Sequence, residues 1–125
     1  MEALNLKGMA KTPDVNFDPE KGLLKISGKS IPENASAYYA PIMHWLDTYS
    51  KEAPPQTTVN IHLEYFNSAS SKSILDLLRK LSSLHETKQS EVLINWYYEE
   101  DDEDILAAGE DYETMVDVPF KMVEV

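Results

Sequence analysis

The chain has 125 residues, with 22 acidic against 11 basic side chains, a formal net charge of −11. At 42% hydrophobic and 26% charged, it has the composition and size of one packed globular domain spanning residues 1–125 rather than of a disordered segment. So negative a chain is repelled by phosphate backbones and anionic membranes, and without cysteine it has no disulfide framework, thiolate nucleophile or Cys-ligated metal site.

Residues 1–12 carry no clear hydrophobic period and are expected to be a loose lead-in. Val15–Phe17 and Leu23–Gly28 flank the turn Asp18-Pro19-Glu20-Lys21-Gly22, which predicts a β-hairpin. Ile31-Pro32-Glu33-Asn34 breaks the chain, and Asn34 or Ser36 can cap the next helix. Tyr38, Ile42, Trp45, Leu46 and Tyr49 fall at helical spacing, predicting a helix over about 35–51. Pro41 fits best in a first turn, which places the start of the regular helix near Tyr38. Thr57–Phe66 alternates, with Val59, Ile61, Leu63 and Tyr65 on one face, and reads as a strand.

Ile74, Leu75, Leu77, Leu78, Leu81 and Leu84 mark an amphipathic helix. Ser90–Tyr98 is more continuously apolar, as a central strand is. The expected core is Val59, Ile61, Leu63, Leu93, Ile94 and Trp96 on the sheet, beneath Ile42, Trp45, Leu46, Leu75, Leu78 and Leu81. The acidic run Glu99–Asp104 leads into a third helix through Ile105, Leu106, Tyr112 and Met115, with Gly109 as its weak point. Val118–Val123 reads as a last strand, at an edge because of Pro119. The order β-β-α-β-α-β-α-β implies an α/β fold with a mixed, mostly parallel sheet and a hairpin at one end, or α+β if the helices gather on one face.

Little in this chain suggests catalysis. His44, His62 and His85 are scattered, with no metal-ligand spacing. The run Glu99–Asp104 lacks the glycine and closing glutamate of a calcium loop, and first-turn carboxylates suit the positive end of a helix. No glycine-rich phosphate loop or GxSxG elbow occurs, so no catalytic residue, metal or cofactor is assigned. The alternative reading is a small, metal-assisted enzyme built on acidic side chains. No apolar run approaches the ~20 residues of a membrane span, and the N-terminus lacks the order of a signal peptide. A cytoplasmic protein, with no membrane insertion and no nucleic-acid partner, is expected.

One segment stands apart. Between a buried strand and an amphipathic helix lie Asn67, Ser68, Ser70, Ser71 and Lys72. Asn and Ser serve as N-caps, and Ser73 with Asp76 has capping-box spacing. The same position, a hydroxyl opening a helix, suits a phosphoacceptor, because the helix end favours an anion.

The chain resembles the SiaC family of bacterial regulatory phosphoproteins, with a STAS-like fold of the anti-anti-sigma-factor type. The resemblance is carried by Thr12-Pro13, Ser30-Ile31-Pro32-Glu33-Asn34, Tyr39–Leu46, Leu63–Lys72, Val92–Tyr98 and Val118–Lys121. It implies a signal-transduction switch, not an enzyme. On that likeness Ser68 is phosphorylated by a dedicated Ser/Thr kinase and dephosphorylated by a PP2C-type phosphatase. Asn67, Ser70, Ser71 and Lys72 would contact the partner. The unphosphorylated form would bind and activate an effector, a diguanylate cyclase in the family, linking the chain to cyclic di-GMP and biofilm control. Serine stands here where the family's best-known pattern has threonine.

Overall fold

The computed structural model describes residues 1–125. Its elements are β1 (Leu4–Leu6), β2 (Asp14–Asp18), β3 (Leu23–Ser30), α1 (Ala35–Ser50), β4 (Gln56–Phe66), α2 (Ser68–Glu86), β5 (Glu91–Tyr98), α3 (Glu103–Met115) and β6 (Phe120–Glu124). In the hairpin, Val15 lies opposite Ile26 and Phe17 opposite Leu24, and all four are buried. Two residues assigned to the lead-in extend this pairing: Leu4 and Leu6 stand against Phe17 and Val15 in an antiparallel β1. A three-residue strand is too short to show a period, but its two leucines cover the exposed edge of the hairpin core.

The six strands follow one another across the sheet in chain order. β3, β4, β5 and β6 are parallel neighbours, so three right-handed crossovers bring the helices onto one face. Burial alternates accordingly: Thr57, Val59, Ile61 and Leu63 of β4, and Val92, Ile94 and Trp96 of β5, are covered. Leu93, expected in the core, points to the uncovered face and is 38% exposed. The apolar run in β5 concealed an alternation that only the one-sided helix layer reveals. Leu75 is half-buried at the margin of the core.

The parity of β4 breaks near its end. Gly28 pairs with Leu63 but Lys29 pairs with Tyr65, leaving Glu64 as an extra residue. Such a bulge reverses which side chains face inward; Gly28, at φ 105°, supplies backbone freedom opposite it. Tyr65, expected on the buried face, is therefore turned outward and is 56% exposed. Phe66 turns in, against Trp96 and Tyr112.

Helix α1 starts at Ala35, not Tyr38, because the Asn34 side chain accepts the Ala37 N–H at 3.0 Å. Pro41 thus lies in the second turn, on the exposed side, where the carbonyl deprived of its N–H partner faces water. Tyr39, rather than Tyr38, is the deeply buried tyrosine of that turn. Helix α2 begins earlier than the apolar pattern showed, and Ser73 and Asp76 fall inside it rather than capping it. At α3 the acidic run does what its position predicts. Asp102 caps the helix by accepting the Ile105 N–H at 3.0 Å, and Glu103 and Asp104 occupy the first turn.

Candidate phosphoacceptor site

The polar segment lies where β4 leaves the sheet and turns into α2. Asn67 caps the helix, its side chain accepting the Ser70 N–H at 2.9 Å and its carbonyl the Ser71 N–H at 2.9 Å. Its own N–H donates to the Ser30 carbonyl at 3.2 Å, which ties the turn to the end of β3. Ser68 is the first residue of α2 and is exposed. Lys72, also exposed, follows one turn later on the same side of the helix.

The serines differ sharply. Ser70 is 0% exposed. It accepts a hydrogen bond from the Ser30 hydroxyl at 2.9 Å, and Ser30 lies 2.7 Å from the Tyr39 phenol oxygen. Its expected place among partner-contacting hydroxyls is therefore corrected. The cap turns Ser70 inward, where it joins α2 to β3 and α1. Ser71 is half-buried and engaged from the other side: the Tyr112 phenol of α3 donates to the Ser71 carbonyl at 2.9 Å, with the two side-chain oxygens 3.0 Å apart. The Ser68 hydroxyl is the one in this turn that no protein group engages. A shallow depression of about 300 Å³, lined by Phe66, Asn67, Ser68 and Ser71, lies beside it.

Both tyrosines remain protonated phenols across the ordinary pH range. Burial pushes the Tyr39 phenol up to about 12, against the opposing effect of its bond to Ser30. Burial likewise raises Tyr112, with the bond to Ser71 opposing. Neither tyrosine, nor Ser30, figures in the sequence reading of this site. Ser30 and Tyr112 reach the turn across 40 and 41 residues, a distance no local motif covers, and Tyr39 acts on it only through Ser30. The one available signal was the position of Ser30 and Tyr39 in the segments flanking Pro32-Glu33-Asn34.

The arrangement can present an exposed nucleophilic hydroxyl, on a rigid turn, to an enzyme acting on this protein. The helix end behind it favours an anion, because first-turn N–H groups have no carbonyl partner within the helix. Larger concavities lie at the opposite end of the sheet, one of about 410 Å³ among Gln56, Thr57, His85, Val92, Leu93 and Pro119 and one of about 620 Å³ beside it among Pro55, His85, Lys88, Gln89 and Glu91. No group of three or more His, Asp or Glu side chains is arranged to hold a metal ion, and no helix is long and apolar enough to cross a membrane.

Comparison with known proteins identifies the fold and the family. A protein of Pseudomonas aeruginosa (strain UCBPP-PA14) is 25% identical over 120 residues, covering 96% of this chain and 94% of its own. The solved structure of SiaC of Pseudomonas aeruginosa superposes with a TM-score of 0.90 at 23% identity, covering both chains completely. SiaC in its complex with the diguanylate cyclase SiaD, which it activates, also gives 0.90, at 24% identity over 98% of this chain and 99% of that one. The family profile "SiaC family regulatory phosphoprotein" matches residues 6–125, and the chain belongs to that family.

Proposed function

We propose that this chain is a non-catalytic, phosphorylation-gated binding protein whose acceptor is Ser68. A dedicated Ser/Thr kinase adds the phosphate and a PP2C-type phosphatase removes it. The unphosphorylated form binds and activates an effector, a diguanylate cyclase, as the name of the SiaD–SiaC complex states for that relative. One observation carries the reading: Ser68 is exposed at the first position of α2, and its hydroxyl is free while its neighbours Ser70 and Ser71 are engaged.

The physical logic follows from charge. Phosphate adds about −1.5 to −2 charges, which the helix end tolerates, so the fold survives. A partner covering the turn would have to bury that dianion, with Lys72 as the nearest cation in sequence and a chain already at −11. An unpaired buried charge costs several kcal/mol, more than a typical interface contact contributes. Asn67, Ser68, Ser71 and Lys72 form the accessible part of this docking surface. The metal-assisted enzyme reading has no comparable centre in its support.

Calorimetric titration of the effector cyclase with Ser68→Ala and Ser68→Asp tests the switch. Ser68→Ala should bind as the unphosphorylated protein does. Ser68→Asp, and protein phosphorylated at Ser68, should bind at least ~10-fold more weakly, a loss of about 1.4 kcal/mol. Equal affinity of phosphorylated and unphosphorylated protein would overturn the proposal.

A further inference from the structure

Three serines sit within four residues of each other at the start of α2, yet the geometry treats them differently. Ser70 is closed off by burial alone, with its hydroxyl in the core beside Ser30. Ser71 is not: it is half-buried, at the rim of the depression that also borders Ser68. Beyond this partial burial, what distinguishes it from the exposed Ser68 is Tyr112. The phenol has one proton, and it donates that proton to the Ser71 carbonyl at 2.9 Å. In the 3.0 Å contact between the two side-chain oxygens, the Ser71 hydroxyl must therefore be the donor. Its proton points at the Tyr112 oxygen. The phenol is itself held in place by the rings of Phe66 and Trp96.

We propose that Tyr112 is the specificity-determining residue of this turn: by holding the Ser71 hydroxyl it leaves Ser68 as the hydroxyl open to phosphorylation. This rests on the reading of Ser68 as acceptor given above. In phosphoryl transfer from ATP the serine oxygen forms the new O–P bond as the β–γ phosphate bridge breaks and ADP leaves, while the hydroxyl proton passes to a base or to water. The Ser68 oxygen and proton are both free for that step. The Ser71 proton is already committed to Tyr112, and the attacking oxygen is turned into the same contact. Tyr112→Phe keeps the ring that stacks on Phe66 and meets Trp96 edge to face but removes the acceptor, which releases the Ser71 hydroxyl towards the depression.

The test is site-resolved mass spectrometry of the chain expressed in its native host and purified as wild type, Ser68→Ala, Tyr112→Phe and Ser68→Ala/Tyr112→Phe. Tryptic cleavage at Lys72 separates Ser68, Ser70 and Ser71 from Ser73. Wild type should carry phosphate at Ser68, and Ser68→Ala should carry none in the turn. The double variant should carry it at Ser71, with occupancy at least tenfold above Ser68→Ala alone. Tyr39→Phe in the Ser68→Ala background should leave Ser70 unmodified, since burial and not a hydrogen bond excludes it. Ser68→Ala/Leu78→Ala controls for general loosening; Ser71 phosphate at the double variant's level there would overturn the assignment. So would equal Ser71 phosphate in Ser68→Ala and the double variant, or none in the double variant while wild type is modified at Ser68. Wild type without phosphate at Ser68 would overturn the switch reading itself, and this inference with it. If Tyr112→Phe lost its cooperative thermal transition, 4-fluorophenylalanine at position 112 would fill the phenol's space with a group that does not donate and hardly accepts a hydrogen bond, and the same outcomes would decide.

Discussion

Tyr39 and Gly109 show how much single side chains hold in this protein. Tyr39 is buried with its phenol pushed up to about 12, whereas in the unfolded chain it titrates near the usual ~10. Below pH ~10 both states hold the proton and stability is unaffected. Between about 10 and 12 the unfolded chain gives up its proton first, so stability falls as pH rises, by about 3 kcal/mol for a two-unit displacement. Tyr38, Tyr49 and Tyr112 are raised too and add to the same alkaline loss. Tyrosinate absorbance followed with circular dichroism should show the buried phenols ionising only as the fold melts. Tyr39→Phe should shift that melt to higher pH, and an unchanged alkaline midpoint would contradict the assignment.

Gly109 was readable in the sequence only as a weak helix former. Its actual reason is contact, because a Cβ there would lie 2.4 Å from Trp96 Cδ1, on the indole whose N–H donates to the Ile105 carbonyl at 2.9 Å. Gly109→Ala should therefore destabilise by about 1–3 kcal/mol through overpacking, although alanine is the better helix former. A stabilised variant in denaturant titration would show that α3 can shift without cost.

The elements were legible wherever their own residues carried a period. All three helices, the hairpin and the strands β4, β5 and β6 are visible in the spacing of Val, Ile, Leu and aromatic side chains. What failed depends on neighbours. The outward turn of Tyr65 needs the bulge opposite Gly28, the exposure of Leu93 needs helices on one face only, and β1 needs the edge of the hairpin to pair with. The start of α2 at Ser68 was blurred by several competing cap residues, and Asn67 prevails because its side chain reaches the Ser70 N–H. Asn67→Ala should accordingly cost about 0.5–2 kcal/mol, as loss of an N-cap does. Leu78, fully buried at the α2 contact with the sheet, is the stronger anchor, and Leu78→Ala should cost about 2–5 kcal/mol. Chemical denaturation of the two variants should rank them in that order. A Leu78→Ala loss under ~0.5 kcal/mol, within the surface range, would mean that the face of α2 is misassigned.

At the scale of the molecule the charge is concentrated. Ten of the 22 acidic residues lie between Glu99 and Asp117 with no basic residue among them, so the remaining twelve are nearly matched by the 11 Lys and Arg. Asp102, Glu103 and Asp104 offset the positive end of α3, but the rest of that run repels itself. Against this stand two ion pairs, Met1–Glu52 and Lys80–Asp47, and a His62–Glu99 contact at 3.4 Å. Each involves an exposed side chain, and pairs of that kind contribute about 0–1 kcal/mol. Repulsion therefore outweighs attraction, and screening should help the fold. Raising sodium chloride from ~0.01 to ~0.15 M shortens the Debye length from roughly 30 to 8 Å, and the thermal midpoint should rise. Calcium chloride at matched ionic strength should raise it no further, because the run lacks the glycine and closing glutamate of a calcium loop. A tight calcium site would add about 2.7 kcal/mol at a hundredfold excess over its dissociation constant. Calorimetry in the two salts separates these outcomes: a calcium-specific rise would turn the acidic run into a binding site, and a midpoint that falls with sodium chloride would show that the ion pairs, not the repulsion, dominate.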